Sequence, residues 1–488
     1  MWRRLSSSWS SDPDVRVFAV IALVAVLTLP AVTTRLYAAD EIEAFSFLRS
    51  LWFDRDVSFD NEYRHFADAG VADAGFRQTF LERSTDTGLR INFTTIGCAL
   101  LWSPFYAAAD AGVHVARALG SPVDADGYGR PYVAAVCYGS ACYGWLAVAL
   151  AFSICRTLLS RAGDSRPRPA ALAAWAALLG TPLVFYMFVS PPFTHAASAF
   201  AVGAFVLAWL RVRDRWTVRG MVLLGALAAL MAMVREQDGF LVIGPAIDIG
   251  RAWLRQRDTR LFRVALACAG AFALTYAPQA AAYLALNGRL GPSRLVGRKM
   301  TWTAPHALGV VASPEHGWLL WTPLVVLAAC GWVLMVTGRR GADEKAGAGD
   351  APAGDVRWIG VCLLAMVLSQ VYVSGSVESW TVAGAFGQRR FVGLTAPLAA
   401  GLAFLFASAR TRGRRLVLTA LVAAGIWWNV GLMVQFGAGW MDRQRLDLPQ
   451  NAYNTFITVP RRLPEIAYRY LFERQRFYRT PPATPQDR

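Results

Sequence analysis

Five sets of polar residues in this sequence have types and spacings that could do chemistry, and each admits a second reading. Asp40-Glu41-Ile42-Glu43 directly follows the first apolar run. Adjacent carboxylates at a membrane–water boundary, here Asp40 and Glu41, can supply a general base, because neighbouring charge and partial burial raise one pKa toward neutrality. The same residues can instead open a helix as an acidic cap. Glu378-Ser379-Trp380 and Gly387-Gln388-Arg389-Arg390 form the second group. Guanidinium groups hold phosphate oxygens in bidentate fashion, so Arg389 and Arg390 suit a lipid-linked phosphate; the alternative is an ion pair with Glu378 or with lipid headgroups. In Arg235-Glu236-Gln237-Asp238, Arg235 is a further phosphate ligand or the salt-bridge partner of Asp238. His195, after Ser190-Pro191-Pro192-Phe193-Thr194, is a substrate contact or a helix cap. His316 shares a loop with His306 and Glu315, a set that could bind a metal with Asp40, although no ligand spacing supports it. Glu378, Trp380, Gln388, His195 and His316 are expected to line a substrate site, and no cofactor or metal is expected.

Other strings carry less. There is no Walker loop, GxGxxG, HExxH or GxSxG. Asp54-Arg55-Asp56 reads as a solvated turn, and Asn92-Phe93-Thr94 is a glycosylation sequon by letters only.

The elements that must position these groups are apolar. The 488 residues are 55% hydrophobic and 17% charged, where a soluble protein carries roughly 25% charged residues. That deficit excludes a disordered chain, a disulfide scaffold and an ordinary soluble enzyme, and points to an all-α polytopic membrane protein. The net charge of +16 comes almost wholly from arginine, the only lysines being Lys299 and Lys345. The arginines punctuate apolar runs without forming one basic stripe, which argues against nucleic acid. The seven cysteines lie in or beside apolar runs with no CxxC pair, as reduced core residues do.

A spanning helix needs about 20 mainly apolar residues, and arginine-rich short loops mark the cytoplasmic side. On those rules the spans run Val15–Tyr37, Arg130–Ile154, Ala170–Val189, Ala196–Leu210, Gly220–Val234, Gly239–Trp253, Val264–Leu286, Trp318–Thr337, Trp358–Val373, Phe391–Ala409 and Leu416–Phe436. This gives about eleven transmembrane helices, with the N-terminus cytoplasmic and the C-terminus outside. Residues 40–129 form the first outer loop; its part up to residue 91 holds eleven acids against six arginines. Ile91–Leu119 is broken by Pro104 and reads as a re-entrant or surface-lying helix. Residues 338–357 read as a flexible cytoplasmic linker within a membrane domain of residues 1–435. The tail, 436–488, holds nine arginines from Gly437 on and carries an amphipathic surface helix over Arg461–Arg479. All the polar groups then face one outer cavity.

That layout resembles the GT-C integral-membrane glycosyltransferases, especially bacterial enzymes akin to protein O-mannosyltransferases and lipid A aminoarabinose transferases. Tyr37-Ala38-Ala39-Asp40-Glu41 is similar to the family's acidic motif after the first helix. Ile96–Phe105 resembles the surface helix that follows, and Ser313-Pro314-Glu315-His316-Gly317 and Phe386–Phe391 resemble strings of uncharacterised members. The resemblance implies inverting transfer of a sugar from a polyprenyl-phosphate donor to an envelope lipid, glycan or protein, at the periplasmic face of a bacterial inner membrane. It further implies Asp40 or Glu41 as base and arginines as donor-phosphate ligands. Two departures are the lack of a large soluble C-terminal domain and of a Lys-Pro-Pro-type motif ahead of Asn92. The competing expectation is a transporter or flippase for a lipid-linked or anionic solute; the weaker one is a non-catalytic scaffold.

Overall fold

The computed structural model describes residues 12–71, 74–338, 351–382 and 384–474. Their regular structure is helical, and they pair in β fashion only at two isolated bridges, Ser84 with Arg90 and Met300 with Val377. The helices are α1 (Pro13–Leu27), α2 (Ala39–Arg49), α3 (Asp60–Asp68), α4 (Gly97–Ala118), α5 (Arg130–Arg161), α6 (Pro167–Leu179), α7 (Leu183–Phe188) and α8 (His195–Val212). They continue with α9 (Val218–Val234), α10 (Ile243–Gln256), α11 (Thr259–Asn287), α12 (Leu324–Thr337), α13 (Ala351–Gly375), α14 (Thr395–Ser408), α15 (Arg412–Ala438) and α16 (Val459–Phe472).

Among the described residues, six helices are long and apolar enough to cross a membrane: α5, α8, α11, α13 from Gly354, α14 with its leading turn from Arg389, and α15. Their outward faces are apolar, as at Leu274 (79% exposed) and Leu416 (71%), which water would penalise and hydrocarbon does not. This is the form of a multi-pass membrane protein. Helices α9 and α12 are apolar but shorter.

Several expected spans are broken where proline enters, because proline lacks an N–H and disfavours helix at the residue before it. The run from Val15 stops being α-helical at Leu27, before Pro30. Ala170–Val189 splits at Gly180-Thr181-Pro182 into α6 and α7. Trp318–Thr337 splits at Thr322-Pro323 into a single turn and α12. Tight 3-10 turns lead into the next helices at Glu236–Val242 and Arg389–Leu394. Helix α4 runs unbroken through Pro104, packed on α5 and α2.

The core lies between α5, α8, α14 and α6, where Trp209, Phe152 and Phe205 are buried. Two crossings are so close that only glycine fits. A Cβ on Gly331 of α12 would stand 1.7 Å from the Gly401 carbonyl of α14, and one on Gly225 of α9 would stand 2.1 Å from the Cys268 carbonyl of α11. Cys98, Cys137, Cys155 and Cys362 are buried and Cys142 and Cys330 exposed, all as free thiols.

Two ends of the bundle can be told apart by following shared helices. Helix α8 carries His195 at one end and Val212, next to Arg213, at the other, about 27 Å away at 1.5 Å per residue. The tail returns to the His195 end. Tyr470 of α16 donates to the carbonyls of Ala31 (2.9 Å) and Phe188 (3.1 Å), and Arg474 donates to Val32 and Pro30. Leu446 donates its N–H to the Pro314 carbonyl. Most of the expected linker (339–350) and the last part of the expected surface helix (475–479) lie outside the described residues.

Candidate functional site

Helix α2 opens the site. Its first turn holds Asp40 and Glu41, and Glu41 folds back as a cap: its Oε2 accepts the N–H groups of Tyr37 (2.9 Å) and Ala38 (3.2 Å). Such bonds satisfy donors that a helix start leaves free. Glu41 is fully buried, and burial pushes its carboxyl up to about 8 against the pull of those two N–H bonds. Asp40 points elsewhere: its Oδ2 accepts from Arg389 Nη1 at 2.7 Å, with 47% of the Asp40 side chain and 23% of that of Arg389 exposed. The two carboxylates expected as alternative bases thus have different work. Glu41 is tied to its own helix start, whereas Asp40 is open to a ligand.

Glu43 is one helical turn on from Asp40 and was not among the residues expected to act. It is buried, accepts the Phe93 N–H at 2.5 Å, and its carboxyl is pushed well up by burial and then by the charge of Asp40. The i,i+3 spacing from Asp40 was the available signal.

Arg235 sits where α9 ends and the Glu236–Val242 turn begins. Its Nη2 donates to Gln237 Oε1 at 3.1 Å and its Nη1 reaches the Arg389 carbonyl at 3.5 Å. Gln237 Nε2 donates to the Arg390 carbonyl at 2.8 Å, and Gln370 Nε2 to the Gln237 carbonyl at 2.8 Å. The two 3-10 turns are therefore stitched together, which brings Arg235, Arg389 and Arg390 to one place. The expected alternative, a salt bridge from Arg235 to Asp238, is not formed; Asp238 instead accepts from Ser198 Oγ at 2.6 Å. Arg390 donates to the Ser379 carbonyl (3.2 Å) and Oγ (3.1 Å). Among the described residues, only Asp40 places a carboxylate within 4.0 Å of these three guanidinium groups.

His195, at the start of α8, is 3% exposed, and neither ring nitrogen has a hydrogen-bond partner. Its ring lies between Phe193, stacked at 5.7 Å, and Tyr186, edge-on at 4.4 Å. The Arg389 guanidinium lies 5.3 Å above the Phe193 ring, and the charges of all three arginines reach His195. Unpartnered buried nitrogens carry a penalty of about 1–3 kcal/mol, which a ligand or water can relieve.

The remaining expected residues support loops. Gln388 is buried and donates to the carbonyls of His316 and Trp380, both at 3.2 Å. His316 Nε2 lies 2.9 Å from the Ala385 carbonyl, its ring stacks on Trp321, and burial pushes its imidazole down to about 4. Trp380 stacks on His306 and fills the space beside Gly309. Glu378 is exposed, pairs its N–H with the Lys299 carbonyl, and makes no ion pair with Arg389 or Arg390. Among the described residues, no group of three or more His, Cys, Asp or Glu is placed to hold a metal ion.

The structure therefore brings Asp40, Arg389, Arg390, Arg235 and His195 together, with Glu41 and Glu43 behind them. Three guanidinium groups beside one open carboxylate can hold an anion, with that carboxylate able to accept a proton at the edge. No family model matches the chain, and no curated protein matches it.

Proposed function

We propose that the chain is an integral-membrane glycosyltransferase of the GT-C kind, which moves a sugar from a polyprenyl-phosphate donor to an envelope lipid, glycan or protein. The observation that carries this reading is the Asp40–Arg389 pair set among two further arginines without carboxylate partners. In the proposed reaction Arg235, Arg389 and Arg390 hold the donor phosphate, and Arg389 turns from Asp40 to the phosphate as the donor enters. Asp40, now freed, takes the proton of the acceptor hydroxyl. That oxygen attacks the anomeric carbon on the face opposite the phosphate, the bond to the phosphate oxygen breaks, and the configuration inverts. Polyprenyl phosphate leaves with its charge matched by the arginines. His195 meets the bound donor through the ring nitrogens that the protein itself leaves unpartnered.

In this reading the three broken runs, the Gly239–Trp253 run and the short α9 cross the membrane alongside the six long helices, giving eleven spans. The arginine-rich end is then cytoplasmic and Asp40 faces the outside of a bacterial inner membrane, by the positive-inside rule. The test uses purified protein in lipid with a panel of polyprenyl-phosphate sugars. Wild type releases polyprenyl phosphate from one of them; Asp40→Asn binds that donor without release, and Arg389→Ala does not bind it. No binding and no release with any donor would remove the reading.

The helix breaks favour a second reading, transport of a lipid-linked or anionic solute, since transporters place substrate at interrupted helices. Movement of a polyprenyl-phosphate sugar between leaflets without bond cleavage would select it.

A further inference from the structure

At the opposite end of the same helices lies a second charged site, built differently. Asp248 of α10, 4% exposed, accepts from Arg213 Nε (2.8 Å) and from the indole N–H groups of Trp209 and Trp358 (both 2.9 Å). Arg213 also donates to Asp355 at 2.6 Å, and Arg161 pairs with Asp214 and Asp355. Of these groups Arg213, Asp214, Asp248, Asp355 and Trp358 form the floor of a cavity of ≈580 Å³, with Trp209 and Arg161 behind them. Its rim carries Arg215, Arg251, Arg255 and Arg260, none of which has a carboxylate within 4.0 Å among the described residues. Arg251 is laid over the Trp358 ring at 4.0 Å; the other three are exposed. Asp258, also on the rim, is engaged in capping α11 through the Arg260 N–H.

The floor is saturated and the rim is not, so the rim is where an anion binds. The sequence neighbours of these rim residues expose large apolar side chains: Trp253 and Leu254 of α10, with the Arg257 guanidinium 5.2 Å over the Trp253 ring, and Phe262 of α11. A soluble anion has no use for that apolar border, whereas a phospholipid places its phosphate among the arginines and its acyl chains against Trp253, Leu254 and Phe262. We propose that this cavity is a binding site for an anionic phospholipid headgroup, separate from the Asp40 site and independent of what that site does.

The experiment compares full-length wild type with Arg255→Gln/Arg260→Gln, in nanodiscs of phosphatidylcholine alone or with phosphatidylglycerol. Thermal stability and the number of lipids retained on release into the mass spectrometer are read. A second variant, Arg412→Gln/Arg414→Gln, removes charge from the start of α15, away from the cavity. Wild type and the α15 variant are stabilised by phosphatidylglycerol and retain it. In the cavity variant its affinity falls about fivefold for each arginine removed, while stability in phosphatidylcholine is unchanged. Equal losses in both variants would reduce the effect to general surface charge and overturn the proposal. So would stabilisation of wild type by inorganic phosphate to the same extent as by the lipid.

Discussion

Replacing Asp40 with Asn should tighten binding of a polyprenyl-phosphate ligand while stopping turnover. In the empty protein Asp40 occupies Arg389 through a 2.7 Å contact, and an incoming phosphate must displace it. The pair is half open, with side chains 23% and 47% exposed, so its net strength is about 1 kcal/mol. Asn keeps an acceptor oxygen but loses the charge, so part of this amount is released for the ligand. The displaced carboxylate and the phosphate that takes its place also repel each other. At about 6 Å and an effective dielectric between that of a protein surface and that of water, this repulsion is about 1 kcal/mol. Together these effects predict a Kd about five to thirty times lower in Asp40→Asn. The assay is equilibrium binding of labelled polyprenyl phosphate to protein in nanodiscs, at fixed ionic strength because the effect is electrostatic. In Asp40→Asn/Arg389→Ala the gain should vanish, since the released cation is gone. An unchanged or weaker affinity in Asp40→Asn would mean that Arg389 is a structural strut and not a phosphate ligand, and the proposed mechanism would fall with it.

Three further predictions concern the supports of the site. Folded Glu41 keeps its proton up to about 8, while an unfolded glutamate loses it near 4.5, so between these values the folded state binds the extra proton and stability falls as pH rises. Glu41→Gln should therefore flatten that slope, gaining on wild type in thermal stability between pH 5 and pH 8, and should keep turnover; an equal difference at both pH values refutes the reasoning. Glu43→Ala should cost about 1–3 kcal/mol by leaving the Phe93 N–H without its carboxylate, and Glu43→Gln should restore most of it, as thermal unfolding of both variants would show. Gly331→Ala should destabilise by about 3 kcal/mol or more, since its Cβ would meet the Gly401 carbonyl. Gly270→Ala, with no atom within 4 Å of the new Cβ, should be neutral or slightly stabilising, and equal effects at the two positions would refute that contrast.

Periodic and compositional signals carried the architecture well. Runs of apolar residues bounded by arginines marked α5, α8, α11, α13 and α15 to within a few residues at most ends. The breaks were less legible: hydropathy averages across Gly180-Thr181-Pro182 and Thr322-Pro323, although the prolines themselves were visible. In the site, the arginine pair and Arg235 were legible because charge in an apolar context is costly and needs a reason. What joins them was not. The stitching of Gln237 to the Arg390 carbonyl and the aromatic bracket around His195 depend on residues more than 100 positions apart or on loop geometry. Glu41 illustrates the limit well: next to Asp40 in sequence and identical in charge class, it differs only in where the helix start sends its side chain. Asp248, a carboxylate inside the apolar run Gly239–Trp253, is a signal of the same kind as the arginines.

Both ends of the bundle gather arginines, but the paired cluster under the far cavity and the Asp40 site settle their charge in opposite ways, and this yields a final prediction. At the far end Asp248, Asp355 and Asp214 meet Arg213 and Arg161 in closed pairs, and breaking such pairs is costly. At the Asp40 end one half-open carboxylate pairs with Arg389 alone, while Arg235 and Arg390 stand nearby without a carboxylate partner among the described residues, so each added cation raises the energy of the empty protein. Removing one should therefore stabilise it. Arg390→Gln loses only its bonds to Ser379, an exposed residue that water can satisfy, and relieves repulsion from Arg235 and Arg389. The ligand-free variant should unfold at a temperature equal to or above that of wild type, by up to about 1 kcal/mol. Its stabilisation by polyprenyl phosphate should shrink, because the same repulsion is what an anionic ligand removes. This exchange of stability for function is the pattern of a binding site. The fully paired Arg213 gives the control: Arg213→Gln should destabilise in every condition, by about 3 kcal/mol. If Arg390→Gln destabilised the empty protein as Arg213→Gln does, the three arginines would be structural and the anion site would not exist.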